Sequence, residues 1–264
     1  MHETLSSLVE RALNGNRRPL EFYLREQSRL PGKRANLELA TEFSNLLGAI
    51  VSEYAGQTRA LLTYFIHDGE DVEVNTPDEF VVLCGVVASG ACAAVLQGWR
   101  GEIFAVLGHY AGSKSWRVRE GVSTAFQQLL PAAFEETITY LMMLATEGNY
   151  FQQRASVAAV AEPPLLHSPE IINAALSIQR IVLERVPSVP ASERRREDFR
   201  ALRQALGYTL SVVTAATPEK GFALMCHCAS WGDPDINWVL RENLKKKRLA
   251  KYTEHTEKLF RMLA

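Results

Sequence analysis

Four arginines of this chain occupy the same local phrase: Trp116-Arg117-Val118-Arg119, Phe151-Gln152-Gln153-Arg154, Phe199-Arg200-Ala201-Leu202-Arg203 and Trp238-Val239-Leu240-Arg241. An aromatic stands three or four positions before each final arginine, and an apolar residue (Val122, Val157, Leu206 or Leu244) stands three after it. The copies lie 35, 49 and 38 residues apart. Recurrence at that period constrains the chain to stacked helical pairs. One pair cannot bury its apolar face alone, so each must cover its neighbour's.

Helix starts are marked independently of the phrase. Thr76-Pro77-Asp78-Glu79 reads as a capping box with proline at the first helical position, introducing a helix over Phe80 to Leu96. Ser168-Pro169-Glu170, Thr217-Pro218-Glu219 and Asp233-Pro234-Asp235 open three more, each offering a side-chain acceptor to the free amides. Val72-Glu73-Val74 is too short for a strand. From about Gly112 the pattern is helix, turn, helix. The 49-residue interval holds an inserted loop, Pro187 to Glu197, with Arg194-Arg195-Arg196 as an exposed basic run. Arg34-Ala35-Asn36-Leu37 reads as a degenerate amino-terminal copy of the phrase.

Composition narrows the functional classes. Apolar residues make up 47% of the 264, enough for a continuous core, and the net charge of −1 excludes a broadly polycationic chain. Any basic surface must be local. Cys84, Cys92, Cys226 and Cys228 form no Cys-x-x-Cys pair and are expected to be reduced and mostly buried, as in the cytoplasm. Met1 to Glu10 carries charges and no long apolar run, so no leader is expected there. The run Phe80 to Leu96 contains Gly85 and Gly90 and reads as a buried helix, not a membrane span. With Gly98 and Gly101, these glycines are expected to allow close helix packing.

The phrase resembles the HEAT repeat family, over roughly the last 150 residues well and the first 110 weakly. The resemblance implies an all-α, right-handed α-α superhelix. It would be one solenoid over 1–264, divergent over 1–110 and clearer over 111–264. In that family the arginines hold neighbouring turns in register, which is one reading of Arg119, Arg154, Arg203 and Arg241; contact with a ligand is the other.

A narrower resemblance is to AlkD-type DNA glycosylases, which are HEAT-like and excise alkylated purines. It is carried by the order Trp116 to Glu120, then Arg154-Ala155, then Arg203-Gln204-Ala205-Leu206-Gly207-Tyr208. Carried over residue by residue, Trp116 and Tyr208 would be aromatic walls, Arg154 a phosphate contact and Glu120 the carboxylate beside the developing sugar cation. Two departures stand against it, since that family has aspartate at the position of Glu120 and tryptophan at that of Tyr208. A cationic base is already a good leaving group, so aromatic faces, one carboxylate and an arginine would suffice, without metal or cofactor.

Other chemistry is weaker. Cys226 and Cys228 on one helix would point about 200° apart, which argues against a shared metal. The acidic loop from His67 to Glu73 lacks calcium-loop spacing and reads as a solvated turn. Lys245, Lys246, Lys247 and Arg248 are the strongest local charge, read either as a solvated helix end or as a contact for phosphates or an acidic partner. The expected function is therefore a monomeric binding scaffold whose concave face takes a protein or DNA. Base excision, or an inactive relative of such an enzyme, is the alternative.

Overall fold

The structure, a computed structural model, describes residues 4–66 and 72–263; of the acidic loop, residues 67–71 lie outside it. No strand occurs among the described residues, and the protein is an all-α assembly of helical pairs. Its helices group into two compact units, Met1–Phe134 and Glu135–Ala264.

The amino-terminal unit contains α1 (Leu5–Leu13), α2 (Arg18–Glu26), α3 (Leu37–Ile50), α4 (Ala55–Ile66), α5 (Pro77–Val95), α6 (Arg100–Tyr110) and α7 (Trp116–Ala132). Its hub is α5, packed against α3 on one side and α7 on the other, with α2, α4 and α6 also against it. The sequence explains that position, because α5 from Phe80 onward is apolar or small around its whole circumference, and the helix buries 14 of its 19 residues. A helix without a polar face must lie inside. By length and composition α5 passes as a membrane span, yet it is the core helix of this unit.

The carboxy-terminal unit contains α8 (Phe134–Glu147), α9 (Tyr150–Ala159), α10 (Pro169–Arg185), α11 (Glu197–Ala216), α12 (Pro218–Ala229), α13 (Pro234–Leu244) and α14 (Thr253–Met262). Here α11 is the hub, with α9 and α13 beside it and α10 and α12 across it. Each unit thus repeats one plan: three helices abreast, the middle one buried, backed by the helices between them.

Small residues set the closest approaches. A Cβ on Gly90 would lie 2.6 Å from the Ala125 backbone of α7, and one on Gly221 would lie 2.5 Å from Thr214 Cα of α11. Gly85 is held against Phe65 and Ile66 in the same way, whereas Gly98 and Gly101 face open space and play no such part. Backbone cannot yield as a flexible side chain can, so Gly90→Ala must push α5 and α7 apart. The expected loss is about 1–3 kcal/mol, read from chemical denaturation of the full chain. A loss within error of zero would contradict the close approach.

The capping signals hold with two departures. Thr76, Ser168 and Asp233 accept from backbone N–H groups of their first turns, but the Thr217 hydroxyl makes no cap. The Glu79 carboxylate accepts from the Asn75 N–H at 2.9 Å rather than closing a box on Thr76. Cys84, Cys92 and Cys228 are buried and Cys226 is half-buried. Burial pushes the Cys92 and Cys228 thiols up to about 12, so both stay protonated.

Candidate functional site

The first turn of α7 is fixed before any ligand is considered. Ser115 caps it by accepting from Val118 N–H at 3.0 Å, while its hydroxyl donates to the Glu79 carboxylate. Arg117, only 6% exposed, pairs with the fully buried Glu79 at 3.1 Å. Its other terminal nitrogen donates to Gly32 O at 2.6 Å and to Asn75 Oδ1 at 3.4 Å. Asn75 sits in the left-handed region at φ +68 and accepts from Gly32 N–H at 2.9 Å. One arginine thereby ties together the loop before α3, the loop before α5 and the start of α7. Charge-assisted hydrogen bonds of this kind are stronger than neutral ones.

With Arg117 turned inward, Trp116 is turned outward and 49% exposed, the Arg117 guanidinium 4.8 Å from its ring centre. Positions one turn apart share a helix face, so Glu120 and Thr124 follow Trp116 along one wall. That wall borders a groove of about 600 Å³. Leu37, Ala40 and Thr41 of α3 form the opposite wall, and Leu83 and Val87 of α5 the floor. Gly121 admits the tip of Leu83, which a Cβ there would meet at 2.5 Å. Arg29 and Arg34 complete the lining. Arg29 pairs with Glu38 at 3.1 Å; Arg34 is exposed and has no partner among the described residues. Glu120 makes an interaction of its own within the chain.

Trp116 and Glu120 thus share one groove of the amino-terminal unit. Arg119 does not reach it: the side chain is buried and donates to Ser113 O at 2.5 Å and Lys114 O at 3.2 Å. The remaining candidates belong to the carboxy-terminal unit. Arg154 is buried in α9, Tyr208 is half-buried on α11, and both interact within the chain. Arg203 pairs with Asp235 at 2.5 Å and lies 4.3 Å from the Trp238 ring centre. Arg241 donates to Leu263 O, and Lys245 pairs with Glu242. Lys246, Lys247 and Arg248 follow the end of α13 rather than extending it. Lys247 and Arg248 are exposed and Lys246 half-buried, and none of the three has a partner among the described residues.

Two groups were misjudged from sequence. Arg194 is not simply part of an exposed basic run. It pairs with Asp233 at 2.8 Å and Asp235 at 2.7 Å, and donates to Val189 O at 3.1 Å, so it locks the inserted loop to the start of α13. Burial would raise the Asp233 carboxyl, but the Arg194 hydrogen bond and the Ile236 and Asp235 N–H groups outweigh it and hold the carboxyl below its ordinary value. The groove wall on α3 was missed as well. Its only signal was Arg34-Ala35-Asn36-Leu37, read as a copy of the helical phrase. In fact Arg34 precedes α3, and Asn36 caps the helix by accepting from Leu39 N–H.

No protein-family model matches the chain, and no curated protein matches it. Among solved structures, a designed armadillo repeat protein aligns over 92% of this chain and 99% of its own, at 14% identity and a TM-score of 0.36. A likeness at that score says nothing of partner or activity.

Proposed function

We propose that the chain is a non-enzymatic recognition protein and that the groove over α5 receives a segment of a partner protein, with Trp116 as the principal contact. The observation that carries this is a tryptophan left half in water beside an apolar floor, next to arginine. Large aromatics and arginines in concave, otherwise dry settings dominate protein–protein binding energies, and an unpaired apolar surface gains most from being covered.

Selection of short random peptides on the full chain tests the reading. Selected peptides are expected to bind Trp116→Ala about thirtyfold more weakly than wild type. Peptides indifferent to that substitution would place recognition elsewhere.

A second reading, excision of alkylated purines, draws on Trp116 and Glu120 sharing the groove. An aromatic face and a carboxylate one turn apart suit a cationic base and a developing sugar cation. Duplex DNA carrying 3-methyladenine or 7-methylguanine discriminates the two. Under the first reading neither wild type nor Glu120→Gln releases base. Release by wild type but not by Glu120→Gln would establish the second.

A further inference from the structure

We infer that the segment taken by the groove carries a carboxylate beside its apolar anchor, and that Arg34 reads it. The inference rests on the groove being a peptide site. Its basis is the balance of charge along the lining. Glu38 is matched by Arg29 and Arg117 by Glu79, while Glu120 has its own interaction. Arg34 is left, exposed and with no partner among the described residues.

The apolar contacts lie at the same end of the groove. Leu37 is the first residue of α3 and Trp116 the first of α7, and both line the groove. Two helix starts therefore border it beside Arg34, each capped by its own side chain, Asn36 or Ser115, with Glu38 in the first turn of α3. Leu37 is 58% exposed and Trp116 49%, so the apolar rim stands at these same helix starts. A ligand that covers Leu37 and Trp116 brings its flanking group to Arg34. A basic flank would meet the Arg34 cation.

A nucleic acid fits less well. Its phosphates would make no use of Leu83 and Val87, and Arg34, the one cation of the lining without a partner among the described residues, is few for a polyanion. An aspartate or glutamate one or two residues from an aromatic or aliphatic side chain serves both Arg34 and the apolar part of the lining.

The test uses peptides selected on the full chain, then measured by fluorescence anisotropy against wild type, Arg34→Glu, Trp116→Ala and Arg195→Glu. Arg195 is an exposed arginine of the other unit and controls for net charge. Selected peptides are expected to be enriched in acidic residues next to the anchor. Changing those to amides should weaken binding about threefold to fivefold. Arg34→Glu should weaken it about tenfold, and Arg195→Glu should leave it unchanged. Peptides that depend on Trp116 but are neutral, or bind Arg34→Glu as well as wild type, overturn this inference and leave the groove standing. Absence of any Trp116-dependent peptide overturns both. Arg34-dependent binding of a labelled oligonucleotide, without peptide binding, overturns the inference in favour of nucleic acid.

Discussion

Replacing Arg117 by alanine is expected to destabilise the protein by about 3–5 kcal/mol, the usual result of leaving a buried charge without its partner. Glu79 is fully buried and, among the described residues, would keep only hydrogen bonds from Ser115 and the Asn75 N–H. Gly32 O and Asn75 Oδ1 would each lose a donor at the same time. The conservative Arg117→Lys should not restore the loss, because one ammonium cannot span the carboxylate and the Gly32 carbonyl as a planar guanidinium does. Because Gly32 lies between Arg29 and Arg34, the same substitution should loosen one end of the groove. Peptide affinity should then fall even where the protein remains folded. Chemical denaturation followed by circular dichroism reads the first effect, and anisotropy under native conditions the second. A loss below about 1 kcal/mol, the scale of an exposed pair, would mean that Glu79 finds other partners or water.

Asn243→Leu is expected to cost about 2–4 kcal/mol, although leucine is close in size and strongly apolar. Asn243 is fully buried between α11 and α13. Its carboxamide oxygen accepts from Ser211 N–H at 2.7 Å, and its nitrogen donates to Leu206 O at 2.7 Å and Val239 O at 2.8 Å. One side chain therefore serves polar backbone groups of two helices. Leucine would fill the volume, deprive the buried Ser211 N–H of its side-chain acceptor and remove the second donor from the Leu206 and Val239 carbonyls. Asn243→Asp makes a sharper contrast: it keeps an acceptor for Ser211 but sets a carboxylate against Leu206 O, and should fare no better. If Asn243→Leu proved neutral or stabilising in denaturant titration, the bridge would contribute shape rather than hydrogen bonding.

These two sites show why so much of the fold was legible and so little of the site. The starts of α5, α10 and α13 are written within four residues each, because a cap and a first-turn proline act locally. The all-around apolar character of α5 likewise requires burial wherever the helix goes. The arginine phrase marks helices correctly, yet its four copies meet four different fates. Arg119 holds the preceding turn, Arg154 is buried in α9, Arg203 joins Asp235, and Arg241 reaches Leu263 O just past α14. The Trp-x-x-x-Glu pairing shows the limit most plainly. Trp238 lies against α11 because Gly207 leaves room for it and for Glu242. Trp116 borders an open groove because Leu83 and Val87 of α5 form an apolar floor beside it. Two near-identical local strings differ through residues about 30 positions away.

By itself, then, the chain's sequence determined that it is helical, where most of its helices begin and which of them must be buried. All of these follow from interactions within a turn or two, or from the free energy of keeping apolar surface in water. Tertiary structure alone decided which charges are consumed and which are left. The partners Arg117–Glu79, Arg194–Asp233 and Arg203–Asp235 stand 38, 39 and 32 residues apart. Arg34 and Trp116, which share a groove, have no local relation at all. An ion pair depends on distance in space, and no periodicity along the chain encodes that distance.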